Sequence, residues 1–170
     1  MHHYISVQKG LGLMEVLVAL LVLAIGVLGF IALQYRAIEA SAESTYRVEG
    51  MSLARDFAER IRVNRGALEK YKSEITTPAE QKTSTKNCYQ TACDADEMAD
   101  FDVSEIVKKA HEKAMAVNLI DCQGNDDGRA CIYVAWGETS PTNETDAGAG
   151  GCTNSTSYDP NSTCLIMEVY

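Results

Sequence analysis

The chain has 170 residues and a net charge of −9, from 24 acidic and 15 basic residues. This length suits one domain with an additional helix, and two full domains would not fit. The excess of acidic residues argues against a nucleic-acid-binding surface and is typical of a soluble, exposed domain.

The N-terminal region joins a short polar segment to a long apolar one. Residues 1–10 end in Lys9-Gly10, and an uninterrupted apolar run of 18 residues extends from Val16 to Leu33. As a helix rising about 1.5 Å per residue, the run would span about 27 Å, close to the hydrocarbon thickness of a bilayer. Lys9 predicts that the start of the chain stays cytoplasmic and that the remainder lies across the membrane.

One acidic residue, Glu15, stands directly before the apolar run. A carboxylate costs about 2.5–3.5 kcal/mol at the centre of a bilayer and less near the interface. Glu15 therefore either lies at headgroup depth without a role or has a cationic partner.

The segment Gly10–Gly26, GLGLMEVLVALLVLAIG, resembles the class III signal of type IV pilins and pseudopilins. The resemblance implies that a prepilin peptidase cleaves after Gly10 and N-methylates Leu11. It also implies that Glu15 assists recruitment into a growing fibre by facing the N-terminal amine of a neighbouring subunit. Two charges that are costly to bury separately can be buried as a pair, and the pairing would fix the axial register.

The segment also departs from the usual family pattern. Leu11 stands where phenylalanine is usual, and Gly12 stands where threonine is usual. Ala32 occupies the place of a proline that is common in major pilins. The helix is therefore expected to lack the kink that this proline would cause.

A helical period continues beyond the apolar run, from Gln34 to about Leu68. The apolar side chains spaced by threes, fours and sevens are Tyr35, Ile38, Ala42, Tyr46, Leu53, Phe57, Ile61 and Leu68. This spacing predicts one helix from near Leu11 to near Asn64, apolar all round in its first half and one-sided in its second. The predicted charge pairs are Glu43–Arg47, Arg55–Glu59 and Asp56–Arg60.

The predicted organisation has four parts and an α+β fold. They are a leader (1–10), a transmembrane assembly segment (11–33), an amphipathic helix half (34–68) that packs on the globular domain, and an extracytoplasmic globular domain (69–170). The elements predicted after the long helix are a helix over Ala95–Val117 with Ser104 as a cap, a strand near Leu119–Cys122, a strand over Ala130–Trp136, a loop over Thr139–Tyr158 and a strand over Cys164–Tyr170. The strands that flank the loop are expected to pair antiparallel.

Six cysteines follow the apolar run, at positions 88, 93, 122, 131, 152 and 164. An even number on one side of a membrane segment favours disulfides in an oxidising compartment. Of the fifteen possible pairings, we favour Cys88–Cys93, Cys122–Cys131 and Cys152–Cys164, because each would close a loop rich in turn-forming residues. Zinc is the weaker alternative, since the chain has no Cys-x-x-Cys pair and His111 is its only histidine beyond the first three residues.

The resemblance implies a non-enzymatic minor pilin with no catalytic, cofactor or metal site. It implies an inner-membrane protein with a periplasmic domain that later joins the tip of an extracellular pilus. Expected partners are other minor and major pilins, the prepilin peptidase, the inner-membrane assembly platform and a tip adhesin, with no nucleic acid. Two alternatives stay open, a minor pseudopilin of type II secretion and a secreted or membrane-anchored binding domain with an ordinary signal peptide cut after Ala42.

Overall fold

A computed structural model describes residues 12–77, 81–124, 127–144, 150–154 and 157–169. The predicted cleavage residues Gly10 and Leu11 lie outside these ranges. The chain divides into two units, Met1–Ser44 and Thr45–Tyr170. Helix α1 occupies Leu13–Val63, which confirms the prediction of one long helix.

The described part of the first unit is helical and exposed. Every residue from 12 to 42 is exposed, including Tyr35 and Ile38 of the predicted apolar stripe. The segment therefore has no apolar partner among the described residues.

In the second unit, one face of α1 is buried. Its buried residues are Gly50, Leu53, Ala54, Phe57, Ala58 and Ile61. They recur every three or four residues, which is the spacing of a single helical face. The predicted Asp56–Arg60 pair is confirmed, at 2.9 Å between Arg60 Nε and Asp56 Oδ1. The predicted Arg55–Glu59 pair is wrong, because Glu59 instead accepts from Arg62 at 3.1 Å.

Two further helices follow α1. A 3₁₀ turn, Arg65–Ala67, leads into α2, Leu68–Thr76, a helix that was not predicted from the sequence. Helix α3 occupies Ala95–Glu112 and ends before the predicted Val117. It stops there because Ala114 adopts a left-handed φ of 55°, after which a strand begins.

The N-terminal cap of α3 differs from the prediction. The Asp94 carboxylate accepts from the Glu97 backbone N–H at 2.8 Å, and the Glu97 carboxylate accepts from the Asp94 backbone N–H at 3.0 Å. This reciprocal pair satisfies donors that a helix start otherwise leaves open. Ser104 is not a cap, since it is buried within α3 and its hydroxyl donates to Phe101 O at 2.8 Å.

The strands form two small sheets. Their bounds are β1 Met115–Asp121, β2 Ala130–Trp136, β3 Ser140–Glu144, β4 Gly151–Asn154, β5 Ser157–Tyr158 and β6 Cys164–Glu168. The first sheet is antiparallel in the order β1-β2-β6, with Leu119 opposite Ile132 and Tyr133 opposite Ile166. The predicted strand over 130–136 and its antiparallel pairing with the last strand are therefore confirmed.

Strand β2 is buried along its whole length, and its alternate residues enter two different cores. Ala130, Ile132, Val134 and Trp136 join the helix-side core, defined by the buried apolar residues of α1, α2, α3 and β1. Cys131, Tyr133 and Ala135 join the disulfide-side core, which they form with Cys152 and Cys164.

The second sheet contains β3, β4 and β5, so the prediction of a loop over Thr139–Tyr158 is wrong. Strand β3 runs parallel to β4, and β5 runs antiparallel to β4. Gly151 permits the close approach of β3, because a Cβ there would lie 3.0 Å from Thr142 O and would also overlap Glu144 Cγ. The segment rich in glycine, threonine and asparagine therefore forms paired strands, although its composition suggests a loop.

We expect Ile61→Ala to lower the free energy of unfolding by about 2–5 kcal/mol, because Ile61 is fully buried in the helix-side core. Val63→Ala is the matched control on the same helix, since Val63 is 88% exposed and its change should stay within about 0.5 kcal/mol. Chemical unfolding of the detergent-solubilised chain measures both values. Equal losses for the two variants would contradict the assigned face of α1.

Candidate functional site

The first candidate site is the exposed apolar part of α1 in the first unit. Its large apolar side chains from Leu13 to Leu33 have exposed fractions between 47% and 80%. Among the described residues, α1 is the helix long and apolar enough to cross a membrane. So much contiguous apolar surface is unfavourable in water, so this segment needs lipid or other helices around it.

Glu15 lies in the first turn of α1. Its backbone N–H donates to Gly12 O at 2.8 Å, and its carboxylate forms no ion pair with another described residue. A negative charge at this helix end is favoured by the positive end of the helix dipole. The geometry leaves the carboxylate open to a cation supplied from outside the described chain.

The second candidate feature is the set of disulfides in the second unit. Cys88–Cys93, Cys122–Cys131 and Cys152–Cys164 have Cα–Cα distances of 5.6, 4.9 and 5.6 Å. These are the sequential pairs favoured from the sequence. The second joins the end of β1 to β2, and the third joins β4 to β6. Such links stabilise a small domain mainly by restricting its unfolded chain.

A charged network connects the three helices of the second unit. Asp102, which is nearly buried, accepts from Arg60 Nη1 at 2.5 Å and from the Tyr71 hydroxyl at 2.7 Å. Arg60 also donates to Asp56, which accepts from Lys109 Nζ at 2.7 Å. Each charge has partners of opposite sign, so the network has the form of a structural element, and no group in it is poised to transfer a proton.

The ionisation of this network follows from burial and hydrogen bonding. Burial, then the hydrogen bond to Asp102, raises the pKa of Tyr71 well above its ordinary value of 10. Burial alone would raise the pKa of Asp56, but hydrogen bonds from Lys109 and Arg60 outweigh it and lower the pKa below 3.8. The fold therefore keeps the tyrosine neutral and the aspartate charged across the physiological range.

One cavity of the second unit, of about 390 Å³, contains no reactive arrangement of described side chains. Its lining residues are Lys70, Glu74, Thr83, Thr85, Asp96, Glu97 and Asp100. Its buried acids are already bound, Glu74 by Lys70 and Asp100 by the Thr85 N–H and hydroxyl. In the described ranges, no group of three or more His, Cys, Asp or Glu side chains is placed to hold a metal ion.

Residues 32–104 match the model of a family described as Tt1218-like: Type IV pilin Tt1218. The chain is similar to type IV pilins. The match covers the later part of α1, all of α2 and part of α3, so it is independent of the signal-like segment before Gly26. The long apolar helix, small antiparallel sheet and disulfides fit the α+β pilin fold. No curated protein and no solved structure matches the chain.

Sequence reasoning missed the network around Asp102 and the cap at Asp94. The cap had a readable signal, because Asp94-Ala-Asp-Glu97 before an apolar run is the pattern of a capping box. In the network, the i,i+4 pair of Asp56 and Arg60 was predicted, but the contact of Asp102 with Tyr71 had no signal, since these residues lie 31 positions apart and meet only through tertiary packing.

We expect the free energy of unfolding to fall as the pH rises above about 10. The pKa of Tyr71 is near 10 in the unfolded chain and higher in the folded chain, so at alkaline pH the unfolded chain loses this proton first. Tyr71→Phe should cost about 1.5–3 kcal/mol at neutral pH, since it loses a hydrogen bond to a carboxylate. Denaturant titrations of both chains from neutral to alkaline pH should show this difference shrinking. A difference that stays constant with pH would contradict the assignment. All six cysteines are paired, so free thiols do not complicate the titration.

Proposed function

We propose that the chain is a minor pilin of a bacterial type IV pilus, most like the type IV pilus modification protein PilV. The observation that carries the proposal is the exposed apolar α1 segment with Glu15 in its first turn. The family match over residues 32–104 supports it independently.

The apolar segment would act first as a membrane anchor and then as an assembly element. Lipid would cover its side chains in the inner membrane, and the helices of neighbouring subunits would cover them in a fibre. Because both surroundings are apolar, the helix could pass from one to the other without exposing its surface to water.

Glu15 would supply the specificity that apolar contacts lack. An unpaired carboxylate in an apolar bundle is costly, and a neighbouring N-terminal amine would compensate it. The favoured axial position of a new subunit would then be the one that brings these two charges together. Cleavage after Gly10 would create the amine, at Leu11.

The second unit would be the extracytoplasmic part. Its disulfides suit an oxidising compartment, and the described chain offers no catalytic arrangement. We infer that it works through surfaces, within a priming or tip complex with other minor pilins that initiates polymerisation and supports adhesion or twitching. Its partners would be other pilins, the prepilin peptidase, the inner-membrane assembly platform and a tip adhesin.

Glu15→Ala should leave a folded, membrane-held protein that enters pili poorly, with incorporation reduced by about tenfold or more, as expected when a buried charge loses its pairing. Quantitative immunoblotting of sheared pili against total membranes measures this ratio. Glu39→Ala is the matched control, because Glu39 lies on the exposed part of α1 and its ion pair is with Arg36 of the same helix, at 3.0 Å. Undiminished incorporation of the Glu15→Ala chain would contradict the charge-pairing role.

Gly10→Ala should leave an uncut precursor, because the peptidase is expected to require glycine at this position. Intact mass and N-terminal sequencing of the protein purified from both the membrane and the soluble fractions distinguish three forms, namely the precursor, a chain starting at methylated Leu11, and a chain starting at Glu43. A wild-type protein that starts at Glu43 would refute the pilin proposal and favour an ordinary signal peptide.

A further inference from the structure

The C-terminal half of α3 borders an open cavity of about 460 Å³. Its lining residues are Lys82, Val107, Lys108, His111 and Glu112. Val107 is buried and belongs to the helix-side core, while the other four are exposed. Ligand sites in proteins are concave and typically enclose about 300–1,000 Å³, so this cavity has the size for a small organic molecule.

The walls of this cavity are mostly apolar. Val107 offers an aliphatic side chain, His111 offers the face of its ring, and the lysines contribute their hydrocarbon stems. Val107 and His111 also line a second cavity, of about 200 Å³. Its lining includes the buried Ile75, Met115 and Val117. The two cavities therefore adjoin, and an apolar group placed against Val107 has further apolar surface beside it.

Both lysines of the cavity lack an acidic partner among the described residues. Seven lysines lie in the described ranges. Five of them form ion pairs, and these are Lys70, Lys72, Lys86, Lys109 and Lys113. The other two are Lys82, in a turn between α2 and α3, and Lys108 of α3, and they line the same cavity. In a chain with a net charge of −9, two uncompensated cations at one apolar cavity favour a negatively charged ligand.

Glu112 limits the negative charge that the site can accept. With the imidazole neutral, two lysines and one glutamate give the lining a net charge of +1. This charge complements a monoanion. A dianion, such as a phosphate monoester, would leave one negative charge uncompensated beside Glu112.

We propose that the cavity beside α3 binds an apolar monocarboxylate. Its carboxylate would lie between Lys82 and Lys108, and its apolar body would pack against Val107 and His111. An acidic side chain of a protein partner fits less well, because its short aliphatic stem would leave most of the apolar wall uncovered. A small inorganic anion would cover none of it. This inference does not depend on the pilus proposal.

The test titrates the full chain with 2-naphthoate in a non-ionic detergent and follows the backbone amides by residue-resolved NMR. Saturating shifts are expected for the amides around Val107 and His111. The uncharged analogue 2-naphthamide should bind about fivefold more weakly, because it loses the attraction of the lysines. Acetate, which represents the side chain of an aspartate, should bind at least about tenfold more weakly, because it has no apolar body. The detergent concentration is held constant, so partition of each probe into micelles is the same for every variant.

Three variants test the charges of the site. Lys82→Gln and Lys108→Gln should each weaken 2-naphthoate binding about fivefold, and Glu112→Gln should tighten it by about the same factor. Lys113→Gln is the matched control, because it removes the same charge from the end of α3 but from a lysine that pairs with Glu49, at 3.3 Å. This control should bind like wild type. All four side chains are exposed, so the amides away from the cavity should keep their native shifts.

Four results would overturn the proposal. The first is a titration without saturating shifts at the cavity. The second is equal binding of 2-naphthamide, which would show apolar contact alone. The third is equal binding of acetate, which would show a site for any carboxylate, including an acidic side chain of a partner protein. The fourth is equal weakening by Lys113→Gln, which would show only the overall charge of the chain.

Discussion

Burial of strand β2 on both faces is the constraint on which the second unit depends. A small antiparallel sheet usually leaves one face in water, and its strands then alternate between apolar and polar residues. Strand β2 has no such alternation, so other side chains must pack on each of its two faces. Helices α1, α2 and α3 pack on one face and form an ordinary apolar core with it. The other core is formed largely by cysteine and tyrosine side chains, and its order depends on covalent links.

Those links explain how a polar, glycine-rich segment becomes part of the fold. The residues between β2 and β6 contain few apolar side chains that could form a core of their own. The disulfide between Cys152 and Cys164 brings β4 to the sheet without such a core. Gly151 then lets β3 approach β4 closely, and β4 positions β5 with Tyr158. The disulfide thus acts together with hydrogen bonds from Asn118 Nδ2 to Pro141 O and from Asn143 Nδ2 to Asp121 O in placing the second sheet, including the residue that meets the edge of β6.

Local patterns predicted α1, β2 and β6, because a helical period or a β-branched run is contained within a few turns or residues. Local patterns failed where tertiary contacts determine the secondary structure or bring distant residues together. The apolar residues after Ala114 fit a helix or a strand equally well, and pairing with β2 selected the strand. The position of Glu15 beside the apolar run is visible in the sequence, and the assembly role proposed for it stays a prediction. The Asp102–Tyr71 contact and the Tyr158–Ile166 contact join residues that no periodicity relates, so only the folded chain shows them.

The two exposed surfaces of the chain make opposite demands. The apolar segment of α1 is unfavourable in water wherever the protein is, so it must always be covered by lipid or by other helices. The outer edge of β6 is in a different position, because the Tyr158 hydroxyl already accepts from the outward N–H of its central residue, Ile166. The second unit therefore satisfies the centre of its exposed strand within the chain, whereas the apolar segment depends on what surrounds it.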